Sequence, residues 1–88
     1  MTPRAKPSTQ ERQAEAIEAI ASKGVLTPRE REFFGYLAAG RSIPWISSRL
    51  SISDGTSRAH ARHIYAKLQV HSRQELLDVV DRETELIR

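Results

Sequence analysis

The chain has 88 residues, a net charge of +3 and no cysteine. That length allows one domain at most and leaves no room for a deep catalytic cleft, and the cysteine count rules out a disulfide framework or a thiolate metal site. No apolar run approaches the ~20 residues that a membrane span requires, and the opening MTPRAKPSTQ lacks the apolar core of a secretory signal.

Residues 1–7, with two prolines and two bases, read as a disordered arm. Ser8 and Glu11 have the spacing of a capping box, and the helix they open runs to Gly24, giving an N-terminal linker helix over residues 8–24. Its apolar positions, Ala14, Ile17, Ile20 and Ala21, are helically spaced but small. Thr27 and Glu30 form a second box, with Pro28 at the first helical position, where its missing amide costs nothing. Phe33, Phe34, Leu37 and Ala38 make the apolar stripe of that helix, and Gly40 supplies its left-handed stop. Ser42 caps a short helix with Ile46 and Leu50 as its buried pair. SISDG is a tight connection, and Ser53 caps a longer helix over residues 54–68. Ser72 and Glu75 form a third box and open the last helix. No five residues alternate as a strand would. The expected fold is an all-α bundle of four helices over residues 25–88, preceded by the linker helix.

Charge is distributed unevenly. Between Phe33 and Gln74 the bases are Arg41, Arg49, Arg58, Arg62, Lys67 and Arg73, and the only acid is Asp54; from Glu75 onward acids dominate. A basic middle and an acidic end suit one surface turned toward a polyanion and another kept away from it. A short helix, a turn of about three residues and a longer helix have helix-turn-helix geometry. On the longer helix Arg58, Ala59, Arg62 and Ala66 share one face, while Ala61, Ile64 and Leu68 can pack on Ile46, Leu50 and Ile52. Like charges at i, i+4 disfavour an isolated helix, and a polyanion partner relieves them. The small alanines allow close approach; the arginines reach past them to base edges in a major groove.

The string LTPRERE…LAAGRS…ISSRLSISDGTSRAHARHIYAKLQVHSRQELL resembles the LuxR-type (GerE-like) DNA-binding domain of bacterial transcriptional regulators, from about Leu26 to Val80. The resemblance rests on many fixed spacings, among them Leu26-Thr27, Glu30, Gly40, Ile46, Ile52-Ser53, Thr56, His60, Ile64 and Lys67-Leu68. It implies a winged-helix-like helix-turn-helix unit that binds duplex DNA to regulate transcription, in the cytoplasm at the bacterial nucleoid, as a homodimer paired through the C-terminal helix. By position it implies base contacts from Arg58, Ala59 and Arg62, and phosphate contacts from Ser42, Thr56 and Lys67. Trp45, His63 and Arg73 are candidate DNA or partner contacts. Leu76, Leu77, Val79 and Val80 are candidate dimer contacts, on a C-terminal helix more apolar than one core stripe needs. No cofactor, metal or catalytic residue is expected: His60, His63 and His71 have no carboxylate or thiol completing a ligand set, and the serines read as caps or surface.

The sequence departs from the family pattern between Ile43 and Ser57. Where the family usually has Asn-Lys-Glu-Ile-Ala, this chain has Ile43-Pro44-Trp45-Ile46-Ser47, and a usual buried Val is Ser57. Amphipathic as Trp is, Trp45 is expected to fill a gap beside the N-terminal helix, with a DNA backbone or a partner as the other occupants. An alternative function follows from the Ile43-Pro44-Trp45 surface: a protein-interaction module of the transcription machinery, contacting RNA polymerase as sigma-factor units do, with weak DNA binding. The chain is expected to be either a stand-alone regulator or the C-terminal part of a longer protein.

Overall fold

The computed structural model describes residues 8–87; the expected arm, residues 1–7, lies outside them. Five helices follow in order: α1 (Thr9–Lys23), α2 (Pro28–Ala38), α3 (Ile43–Leu50), α4 (Asp54–Leu68) and α5 (Arg73–Leu86). No strand occurs among the described residues, and the fold is all-α as expected. No described helix is long and apolar enough to cross a membrane.

Every helix starts at a hydroxyl. Ser8, Thr27, Ser42, Ser53 and Ser72 each accept a hydrogen bond from the backbone N–H three residues on, satisfying one of the amides that a helix start leaves without a partner. At α2 the box closes both ways, because Glu30 Oε1 also accepts from the Thr27 N–H at 2.9 Å. At α5 the reciprocal half differs from expectation. The Glu75 carboxylate passes Ser72 and accepts from the His71 N–H at 2.6 Å.

The first four helices end in one way. After each, a 6→1 backbone bond closes the last turn: Leu26 to Ala21, Arg41 to Tyr36, Ile52 to Ser47 and Val70 to Tyr65. Such a turn puts the residue before the donor in the left-handed region. Glycine fills that position only at Gly40 (φ 86°); Val25 (φ 54°), Ser51 (φ 56°) and Gln69 (φ 59°) fill the others. Gly24, expected to stop α1, is right-handed instead. Its lack of a side chain serves packing, since a Cβ there would stand 2.6 Å from Leu68 Cδ2.

The core is built on α2, whose Phe33, Phe34 and Leu37 are fully buried against Ile46, Ile64, Leu76 and Val80. α1 is no detached linker. It lies along α5 and touches α2, and it brings Ile20 and Ala21 into the core. Its buried face carries Ala16 rather than Ala14, which is exposed. The apolar surplus of α5 is thereby explained. Leu76 (0% exposed) and Val80 (1%) are core residues and are withdrawn as dimer contacts, while Leu77 and Val79 are half-buried against the same core.

The left-handed positions carry a measurable cost, because an L side chain there loses roughly 1–2 kcal/mol to steric crowding. Val25 is β-branched and 77% exposed, so it offers little burial in return. Val25→Gly should raise unfolding stability by about 0.5–1 kcal/mol and Gly40→Ala should lower it by about 1 kcal/mol. Urea denaturation measures both, and a destabilised Val25→Gly would contradict the turn geometry.

Candidate nucleic-acid interface

The angle between α3 and α4 is fixed by an apolar contact with one polar pair inside it. Ile46, Ala61 and Ile64 are buried, and between the helices Ser47 Oγ and Ser57 Oγ lie 2.7 Å apart, 5% and 0% exposed. Ser47 also donates to the Ile43 carbonyl at 2.9 Å, so its proton and the Ser57 proton together satisfy both hydroxyls. These two serines are neither caps nor surface, contrary to expectation. Ser57 stands where the family usually has Val and Ser47 where it usually has Ala, and each departure supplies the other's partner.

With that face of α4 buried, the opposite face is fixed outward. Arg58 and Arg62 are exposed and Ala59 half-buried, with Ala66 and His63 exposed beside them. Neither arginine has a carboxylate within ion-pair distance among the described residues. Ser42 and Thr56 are exposed at the starts of α3 and α4, where helix amides and the positive dipole end favour an anion. Thr56 Oγ1 accepts from Ser53 Oγ at 3.0 Å and keeps its own proton to donate. His60 turns inward, its ring 5.6 Å from that of Phe33.

Three expected contacts are placed elsewhere. Lys67 follows Arg62 by five residues, which is about 140° around the helix, and its Nζ lies 2.6 Å from Glu30 Oε1 and 3.3 Å from the Val25 carbonyl oxygen. It ties α4 to the start of α2 and to the α1–α2 turn, away from the arginine face. Arg73 donates to the Leu37 carbonyl at 3.1 Å and to that of Arg41, so it closes the C-terminal end of α2. Trp45 does not fill a gap beside α1. Its ring meets Tyr36 of α2 edge-on at 5.2 Å, under the Arg41 guanidinium at 4.5 Å. Among the described residues no three His, Cys, Asp or Glu side chains converge as a metal site would need.

A short bracing helix, a tight turn and a second helix presenting unpaired arginines define a helix-turn-helix unit of the kind that regulators lay on DNA. The family model of bacterial regulatory proteins, luxR family, matches residues 24–80, and the chain belongs to that family. It is 35% identical over 77 residues to an HTH-type transcriptional regulator of Aeromonas salmonicida, named for the exeN 3′ region, covering 85% of this chain and 39% of that one. It is 42% identical over 53 residues to the monoamine regulon transcriptional regulator of Klebsiella aerogenes, 60% of this chain and 23% of that one. To the transcriptional regulatory protein NarL of Mycobacterium tuberculosis it is 41% identical over 49 residues, 56% and 23% of the two chains. The chain thus spans well under half the length of these relatives. No solved structure matches significantly. The family is one of regulators, not enzymes.

The serine pair predicts strong coupling. A Val at position 57 would put a methyl near Ser47 Oγ, and Ala at position 47 would leave the buried Ser57 hydroxyl without that partner. Ser57→Val and Ser47→Ala should each cost about 1–2 kcal/mol, while the double variant recovers most of the loss. Additive costs in a double-mutant cycle would refute the pairing.

The Lys67 bond, followed by the Thr27 N–H, holds the Glu30 carboxyl below its ordinary value of 4.5. A depressed carboxyl stabilises the fold fully above its unfolded value, and the contribution disappears as pH falls through the folded one. The native chain should therefore lose its stability advantage over Glu30→Gln as pH is lowered from about 5 toward 3. Melting temperatures that fall in parallel for the two would show that the pair contributes nothing.

Proposed function

We propose that this chain binds duplex DNA sequence-specifically, with α4 in the major groove, and regulates transcription. The observation that carries the reading is the Arg58–Arg62 face: two exposed guanidiniums without ion-pair partners among the described residues, on the helix that packs on α3 and the core. Arg58 and Arg62 reach base edges, Ala59 permits close approach, and Ser42 and Thr56 bond phosphates. His63 borders this face as an additional contact. Lys67 and Arg73 are left out of this reading, because Lys67 Nζ bonds Glu30 and Arg73 Nη2 bonds backbone carbonyls.

Two copies act together on half-sites about one helical turn apart. Of the α5 candidates, Leu77 and Val79 remain partly exposed and contribute to pairing. The protein acts in the cytoplasm, and RNA polymerase is a second partner, favoured by the exposed Trp45 on the far side of α3.

In vitro selection from a randomised duplex library tests the reading. The native chain should enrich a motif with two half-sites, and Arg58→Ala/Arg62→Ala should lose it. Affinity should fall steeply with salt, and Lys67→Met should leave that slope unchanged while reducing stability. Enrichment of the same motif by the double variant would remove the arginine face from the site, and a flatter slope in Lys67→Met would restore Lys67 to the phosphate contacts.

A further inference from the structure

The α3 helix has a second surface that DNA recognition does not use. Ser47 faces α4, and Trp45 and Arg49, two residues before and after it, lie roughly 200° around the helix. They therefore point away from the recognition helix, toward Tyr36 of α2. Trp45 remains 37% exposed, with the Arg41 guanidinium stacked on one part of its ring and Tyr36 against another. Arg49 Nε donates to the Tyr36 hydroxyl at 3.4 Å. Beside them is a shallow hollow of about 370 Å³ lined by Trp45, Ser48 and Arg49.

Two features make this more than a solvated patch. It is held in place: the turn bearing Arg41 is fixed by Arg73, which reaches across from α5 to the Arg41 and Leu37 carbonyls. It also lacks a direct ion pair: neither Arg41 nor Arg49 has a carboxylate within ion-pair distance among the described residues, and Glu32, whose charge acts on Arg49 less strongly than the Tyr36 bond does, is itself bonded to Arg29. Stacking on Trp45 holds the guanidinium plane of Arg41 and leaves its N–H edges for an outside acceptor. An aromatic anchor between two pre-positioned arginines is the composition from which protein interfaces draw most of their energy.

We propose that the Arg41–Trp45–Arg49 surface docks an acidic segment of a partner protein, with carboxylates on the two arginines and an apolar side chain on Trp45. Assigning this surface to protein rather than DNA rests on reading the α4 arginine face as the DNA contact. Trp45 and Arg49 point away from α4, and the two surfaces adjoin only at Ser42, so DNA and the acidic segment are expected to bind together.

Trp45 is the chain's only tryptophan, so its fluorescence reports occupancy directly. The probe is a synthetic amphipathic peptide of Glu and Leu, with a Lys-for-Glu counterpart as control. The acidic peptide should shift Trp45 emission saturably, with Kd on the order of 10–100 μM. The Lys counterpart should not. Arg41→Ala and Arg49→Ala should each weaken binding at least about fivefold, equivalent to ~1 kcal/mol. Saturating duplex DNA carrying the selected site should leave the titration unchanged. No saturable shift, or an equal response to the Lys peptide, overturns the proposal. A shift produced by DNA that competes with the peptide assigns the surface to the nucleic-acid backbone instead. Emission that changes when the chain alone is concentrated assigns it to the acidic face of a second copy. The peptide arm needs no DNA, so failure of the DNA reading appears separately, as absence of DNA binding with the peptide response intact.

Discussion

One buried carboxylate ties the last turn of the recognition helix to the start of α2. Glu30 closes the start of its own helix on the Thr27 amide, and the same oxygen takes the Lys67 ammonium from the last turn of α4. Lys67 in turn reaches the Val25 carbonyl, so the end of α4 is joined to the stretch from the α1–α2 turn into α2 through one ammonium and one acid. A buried charge of this kind adds little net stability over a well-packed apolar substitute, but leaving one partner alone is costly. Its effect is to fix the rotation of α4. With Ser57, Ala61 and Ile64 drawn inward at one end and Lys67 pinned at the other, Arg58 and Arg62 have no direction left except outward.

The bases of this protein divide into two groups by that logic. Lys67 and Arg73 hold helices together through carboxylate and carbonyl oxygens, and they form part of the scaffold despite their charge. Arg58, Arg62, Arg41 and Arg49 have no carboxylate within ion-pair distance among the described residues. Net charge and charge runs do not separate the groups. What separates them is whether a carboxylate or backbone carbonyl takes the charge.

Much of the fold was legible in the sequence, because its signals are local. A hydroxyl before an apolar periodic run places a helix start, and all five starts stand where the Ser and Thr residues indicated. The α2 stripe and the Ile46, Ala61 and Ile64 contact followed from periodicity in the same way. The site was less legible. That Arg58 and Arg62 share an exposed face is a property of one helix and could be read directly. That Lys67 is taken by Glu30, 37 residues away, and Arg73 by Leu37, 36 residues away, is tertiary and leaves no local mark. Which apolar residues of α5 turn inward is tertiary too: Leu76 and Val80 join the core with α2, and α1, from the far end of the chain, lies along α5. α1 stops at Gly24 as the sequence indicates, but that glycine serves a close packing contact, and the left-handed turn after it is made by Val25.

The serine pair between α3 and α4 also bears on how this sequence was reached. From an ancestor with Ala and Val at the two positions, changing Ala first sets a hydroxyl against a methyl, and changing Val first leaves a small void with a lone hydroxyl in it. Both single steps lead downhill in a domain too small to have much stability to spare. The two serines therefore act as one unit: exchanging either alone opens the α3–α4 contact, and only a paired exchange preserves it.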